Sequence, residues 1–232
     1  MKALASARPR FGYRRLHTLL GREGFKVNHK RVYRLYRLEG LSVRKKARRK
    51  LPGHIERTVL PPPTRPNERW SMDFTSDTTA SGRRFRTFNV VDDFTRECLV
   101  IHVDTSINGH RVARLLAELV AARGKPQLIV SDNGPEFIGK AMDRWAYETG
   151  VKLHFIRPGK PVENAFIESF NGRFRDECLD QHWFLDLADA RSKVADWVTD
   201  YNEVRPHGSL GGLPPKEYAA KFINPGLTLR VA

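Results

Sequence analysis

Three carboxylates carry the chemistry that this chain could perform. Asp73 lies in RWSMDFT, where Trp70, Met72 and Phe74 alternate with Ser71, Asp73 and Thr75. That alternation predicts a strand with one face buried, and an Asp inside a strand has poor β propensity and needs a reason. Asp132 ends the apolar run QLIVSD, at the carboxyl end of a predicted strand, where open sheets place their sites. Glu168 lies in PVENAFIESFNGRFRDECLD, which reads as a helix. Three carboxylates that converge without a basic partner repel one another, and the usual resolution is a divalent cation with oxygen ligands. Two Mg²⁺ ions roughly 3.5–4 Å apart activate a nucleophile and stabilise a leaving oxygen on phosphorus. Each carboxylate also has an ordinary reading: Asp132 as a turn residue before Asn133 and Gly134, Asp73 as a buried hydrogen-bonding group. Asp77, Asp92, Asp93 and Asp104 compete for the same role, and all four lie near strand ends or turns, where Asp is common.

The helix predicted over residues 161–180 must position Glu168. Pro161 suits its first turn. Val162, Phe166, Phe170 and Phe174 recur every fourth residue and are expected to form the buried stripe. Asn164, Glu168, Asn171 and Arg175 follow at spacings of 4, 3 and 4 and form a polar row. Arg175 stands about 10 Å along the axis from Glu168, too far to share a metal but within reach of a neighbouring phosphate. It is assigned to gripping that phosphate, with Asn164 and Asn171 as polar helpers. Gly172 inside the helix suggests that something large approaches the backbone. Strand-like runs at 70–75, 84–92 and 98–103 are joined by turns and predict an antiparallel meander. A helix near 109–123, the strand QLIVSD, a helix near 137–149 and the strand VKLHFI follow. The expected fold class is α/β, a mixed five-stranded sheet flanked by helices.

The chain has 232 residues, 40% hydrophobic, with a net charge of +15. Residues 1–50 hold 17 Lys/Arg against 2 Glu, whereas residues 51–232 hold 24 Lys/Arg against 24 Asp/Glu. The whole excess therefore sits in an N-terminal module and points to phosphate backbones. Within it, FGYRRLHTLLGRE (11–23) and a helix after the N-cap Asn28 predict a helix-turn-helix. Leu16, Leu19, Leu20, Val32, Leu35 and Tyr36 are expected inside, with Lys30, Arg31, Arg34 and Arg37 lining the DNA face. RKKARRK (44–50) reads as a basic arm, PPPTRP (61–66) as a polyproline spacer within a linker over 51–68, residues 69–200 as the core, and 201–232 as a tail. No signal peptide or membrane-length apolar run is found, so the cytoplasm is the expected location. Cys98 and Cys178 form no CxxC pair, which argues against a disulfide framework or a zinc site.

MDF around Asp73, SDNGPEF around Asp132 and ENAFIESFNGRFRDE around Glu168 resemble the three blocks of DDE transposases. More narrowly, they resemble the OrfB-type transposases of the insertion sequence three family, whose core is related to retroviral integrases. From Asp132 to Glu168 is 168 − 132 = 36 positions, so 35 residues lie between, which matches the family's DD(35)E spacing. Arg175 falls where the family carries a Lys or Arg. GYRRLH, VNHKRVYRLYRLEGL and YNEVRPHGSLGGLPPKEY also resemble family blocks. The resemblance implies an RNase H-like core behind a helix-turn-helix, Mg²⁺ (two ions, with Mn²⁺ as a substitute) on Asp73, Asp132 and Glu168, and DNA strand cleavage and transfer through a circular intermediate. It also implies a homo-oligomer on DNA and an upstream OrfA product as partner. A non-catalytic DNA-binding regulator and an RNase H-like nuclease are the other readings open at this point.

Overall fold

The computed structural model describes residues 1–43, 60–157 and 161–223. The alternating run becomes β1 (Arg69–Thr78), which pairs antiparallel with β2 (Arg84–Asp92), and β2 pairs antiparallel with β3 (Cys98–Asp104). The expected meander is therefore present. β4 (Leu128–Ser131) lies parallel to β1, and β5 (Lys152–Phe155) lies parallel to β4. The five-stranded sheet has the order β3-β2-β1-β4-β5.

The alternation in β1 decides what each face of the sheet meets. Trp70, Met72 and Phe74 pack with Phe88 and Val90 against α4 (Gly109–Arg123) and α5 (Lys140–Thr149). On the other face, Phe85, Val91 and Val103 pack against α6 (Ala165–Glu177) and α7 (Leu187–Glu203). α6 starts after a single 3-10 turn at Pro161–Asn164. Its buried residues are Ile167, Phe170, Asn171 and Phe174, not the every-fourth-residue stripe expected from the sequence. Phe166 is only half-buried and lies beneath the guanidinium of Arg96 at 4.1 Å and that of Arg69 at 5.0 Å. Phe170 and Phe174 are 1% and 0% exposed, so each contributes about 1.5–3 kcal/mol through burial.

At the N-terminus, α1 (Lys2–Ala7) precedes the two predicted helices, α2 (Tyr13–Arg22) and α3 (His29–Leu38). The Asn28 side chain caps α3 by accepting from the Lys30 amide at 2.8 Å. Leu16, Leu19, Leu20, Val32 and Tyr36 are buried, whereas Leu35, expected inside, is 36% exposed. Tyr36 takes the inward place because its hydroxyl accepts from the Val43 amide at 3.0 Å. The module rests on the core through Arg15 to Glu177 at 3.0 Å, Arg22 to Glu217 at 2.7 Å, and Arg8 to Asp200. The basic arm at 44–50 lies outside the described residues. Residues 61–68 are tied down: Glu68 accepts from the Thr64 and Arg65 amides at 2.7 and 3.2 Å. Residues 201–223, read as a tail, carry α8 (Pro215–Ile223) and place Tyr201, Arg205, His207 and Leu210 in the interior. Among the described residues no helix is long and apolar enough to cross a membrane.

Candidate catalytic and nucleic-acid-binding site

Asp73 sits mid-strand in β1, opposite Asn89 of β2, on the face covered by α6. The parallel register pairs Ser71 with Val130. β4 ends at Ser131, so Asp132 is the first residue beyond the strand, close enough for its charge to act on Asp73. One Asp73 oxygen accepts from the Phe74 amide at 2.7 Å, and the other from Asn171 Nδ2 at 2.8 Å. Burial pushes the Asp73 carboxyl up to about 6, and the charges of Asp132 and Glu168 add to that push. The two hydrogen bonds oppose it.

Asn171 is itself held. Its Oδ1 accepts from Asn89 Nδ2 at 2.8 Å, Asn89 Nδ2 also donates to Thr75 Oγ1 at 2.6 Å, and Thr75 and Thr87 share a hydrogen bond of 2.9 Å. A chain of buried polar groups thus runs from the sheet to the carboxylate. Sequence reasoning missed Asn89, Thr75 and Thr87. The available signal was an Asn in FRTFNVVD, as unusual in a strand as Asp73 is.

Asp132 is half-buried, and its Oδ1 accepts from the Gly134 amide at 3.1 Å. The following loop is pinned on both sides. Asn133 Nδ2 donates to the Ile156 carbonyl at 2.6 Å, and Phe137 is fully buried against Phe74 at 5.1 Å. Glu136 pairs with Arg86, whose guanidinium lies 4.0 Å over the Phe74 ring. Glu168 stands exposed in the first turn of α6. Partial desolvation pushes its carboxyl above the usual carboxylate range.

The competing aspartates are engaged elsewhere. Asp92 accepts from the Asn67, Phe94 and Thr95 amides, and Asp93 pairs with Arg69 at 2.5 Å. Asp77 accepts from the Thr78 amide, and Asp104 from the Thr105 amide.

Among the described residues, no three His, Cys, Asp or Glu side chains close into a ready cage for a metal ion. The donor set still fits a hard divalent cation in its chemistry. It is all oxygen, and the two charges acting most on Asp73 are negative.

The polar row of α6 divides. Asn164 and Asn171, expected as helpers on DNA, are 3% and 8% exposed and turn inward, Asn164 Nδ2 reaching the Met72 carbonyl at 3.4 Å. Glu168 and Arg175 face outward. Arg175 forms no ion pair among the described residues, and it lines a recess with Phe74, Ser76, Arg84 and Arg86. Among the described residues outside its own helix backbone, no atom lies within 4 Å of a Cβ built on Gly172, so none of them makes the close approach that this glycine suggested. In α3, Lys30, Arg31, Arg34 and Arg37 are all exposed.

Comparison with known proteins follows the same division. Residues 1–50 match an HTH-like domain, and residues 63–161 and 149–215 match models of an integrase core domain. The chain is 55% identical to the insertion element IS407 uncharacterized 31.7 kDa protein of Burkholderia multivorans, over 94% of this chain and 78% of that one. It is 28% identical to an uncharacterized transposase-like protein of Haemophilus influenzae, over 88% of this chain and 98% of that one. Its fold is that of the HTLV-2 integrase catalytic core domain, solved in complex with magnesium, with a TM-score of 0.55, 16% identity, and coverage of 67% of this chain and 97% of that one.

Proposed function

The chain belongs to the insertion sequence three family of DDE transposases, which cut DNA and transfer its strands, and we propose that Asp73, Asp132 and Glu168 are its catalytic, metal-holding carboxylates. The observation that carries this reading is the 2.8 Å hydrogen bond from Asn171 to Asp73. It ties α6, with Glu168 one turn away, to the strand that carries Asp73, on which the charges of both Asp132 and Glu168 act. These three carboxylates would hold Mg²⁺, or Mn²⁺ in its place, which when bound would supply charge neutralisation at the phosphate and activation of the attacking hydroxyl.

The chain's own residues supply position. Asn171 fixes one oxygen of Asp73 and the Phe74 amide the other, which together set the orientation of the carboxyl and leave each oxygen a lone pair for the site. The Gly134 amide fixes Asp132. Glu168 faces the open surface over which Gly172 lets a DNA backbone come close. Arg175 holds a phosphate of the donor end, while Lys30, Arg31, Arg34 and Arg37 hold the element's terminal DNA through α3. Asn164 and Asn171 act on DNA only through the groups they position. The DNA-bound enzyme is a homo-oligomer acting in the cytoplasm, on the nucleoid. An upstream OrfA product as partner rests on the family resemblance alone.

Asp73→Asn, Asp132→Asn and Glu168→Gln each remove one ligand charge at nearly constant volume. Each is expected to abolish joining of end DNA while gel-shift affinity stays within about twofold, since direct phosphate contacts dominate affinity. A variant that still joined ends at the wild-type rate would show its residue to be misassigned.

A further inference from the structure

On the far side of α6 from Glu168 lies a recess of about 270 Å³. Phe166, Ser169, Phe170 and Arg173 share this helical face, roughly 180° round the axis from the row that holds Glu168, Asn171 and Arg175. The recess is closed by Arg96 from the β2–β3 turn and by His207 and Ser209 beyond α7.

Arg96 is held there at a conformational cost. Its φ is +64°, in the left-handed region, where a non-glycine residue stores roughly 1–3 kcal/mol. Glycine or asparagine would serve the turn better. The strained position brings the guanidinium to 4.1 Å over the Phe166 ring.

Asp92 also lines the recess, but its oxygens are taken by the Asn67, Phe94 and Thr95 amides, and the remaining charges do not balance. Arg205 takes Glu177 in two hydrogen bonds of 2.6 and 2.7 Å, and Arg15 shares the same carboxylate at 3.0 Å. Asp93, the acidic group nearest in effect to Arg96, is already bonded to Arg69 at 2.5 Å. Arg173 donates to the Ser169 carbonyl at 3.0 Å, its one hydrogen bond among the described residues. Among the described residues neither Arg96 nor Arg173 has a carboxylate of its own within ion-pair distance. Burial first, then the charges of Arg205, Arg173, Arg15 and Arg96, push the His207 imidazole down to about 2. It is therefore neutral, and its Nε2 accepts from Arg205 at 3.3 Å.

We propose that this recess is a second nucleic-acid site, in which Arg96 and Arg173 grip a phosphodiester of a DNA segment running behind the catalytic helix. The Ser169 and Ser209 hydroxyls are further donors, and the half-buried Phe166 ring suits a sugar beside the phosphate. The site rests on the reading of the chain as an enzyme acting on DNA. It gives α6 a strand on each side: the reacting one over Glu168 and a second one over Arg173.

The test uses the full chain and a fluorescent 30-base-pair duplex carrying the element's end. For the double variant Arg96→Gln/Arg173→Gln, the slope of log affinity against log salt should shrink by about 1, the share of one phosphate contact. Affinity at low salt should fall about tenfold. Scanning the duplex with single methylphosphonate linkages should reveal at least one position that weakens the wild type and leaves the double variant unaffected. Arg96→Lys/Arg173→Lys should recover most of the slope, and circular dichroism of all variants checks the fold.

An unchanged slope with an unchanged scan overturns the proposal. So does a double variant that loses calorimetric binding of inorganic phosphate while its scan matches the wild type, because the recess would then serve a small anion. A variant that changes only the oligomer size in light scattering overturns it as well. Metal-dependent nicking of the same duplex by the wild type is scored separately. Its absence would sink the catalytic reading and leave the scan to judge the recess.

Discussion

Asn171 is the residue on which the site's geometry turns. Its amide donates to Asp73 and its carbonyl accepts from Asn89, so no apolar or one-sided replacement can satisfy both neighbours. Asn171→Ala leaves a half-buried carboxylate and a buried amide short of a partner, a loss of roughly 1–3 kcal/mol for each unsatisfied group. Outer hydrogen-bond partners of metal ligands typically influence metal affinity or activity 10–100-fold. Strand transfer by Asn171→Ala should therefore fall about 10–100-fold, with the metal concentration for half-maximal activity raised. A purely structural role would lower stability and leave that metal dependence where it was. Asn171→Asp is the sharper comparison. It keeps the volume, places a third charge against Asp73, and should be worse than alanine. Equal metal dependence in wild type and both variants would remove Asn171 from the site.

At the scale of elements, the loop after β4 is shaped by one close contact. A Cβ on Gly109, at the start of α4, would lie 2.8 Å from the Glu136 carbonyl oxygen. That atom is backbone and cannot swing away, so Gly109→Ala must displace either α4 or the loop that begins with Asp132. Overpacking of this kind costs typically about 1–3 kcal/mol. The expected result is a lower urea midpoint together with slower joining, whereas Gly172→Ala, with open space around it, should leave the midpoint unchanged or raised. Equal midpoints for Gly109→Ala and wild type would mean that the contact relaxes freely.

The strands were legible because β1 alternates cleanly and its neighbours are bounded by turns. The carboxylate spacing was legible because it belongs to a strand, a strand end and a helix. The buried face of α6 was not. A four-residue repeat advances about 40° beyond a full turn at each step, so Phe166 drifts outward while Ile167 falls inside. The inward turn of Asn164 and Asn171 was hidden for a related reason, since a polar row says nothing about whether its partner is water or a buried strand. Residues 201–223 were misread as a tail because Arg205 and His207 look like surface residues until Glu177 and Tyr201 are placed against them.

For the molecule as a whole, the helix that carries Glu168 also carries the joint to the DNA-binding module. Glu177, in the last turn of α6, takes Arg205 from the core and Arg15 from α2. The two arginines are not equivalent. Arg205 is 1% exposed and bonded through two nitrogens, whereas the Arg15 side chain keeps 32% of its surface in solvent and makes one bond. Removing the shared carboxylate in Glu177→Gln strands a buried guanidinium, and breaking such a pair costs about 3–5 kcal/mol. Arg15→Ala leaves Arg205 paired and should cost about 1 kcal/mol or less, as exposed pairs do. Deleting residues 1–50 likewise keeps the Arg205–Glu177 pair, so the core should remain folded, with a urea midpoint nearer to that of Arg15→Ala than to that of Glu177→Gln. The deletion also removes the entire +15 excess, because 17 Lys/Arg and 2 Glu leave with it. The salt slope of DNA binding should therefore fall steeply even though the carboxylates are untouched. Urea melts of the three variants, run beside salt titrations with end DNA, separate the two effects. If Arg15→Ala proved as costly as Glu177→Gln, the joint would be anchored from the module side, and the core would depend on residues 1–50 to hold α6 in place.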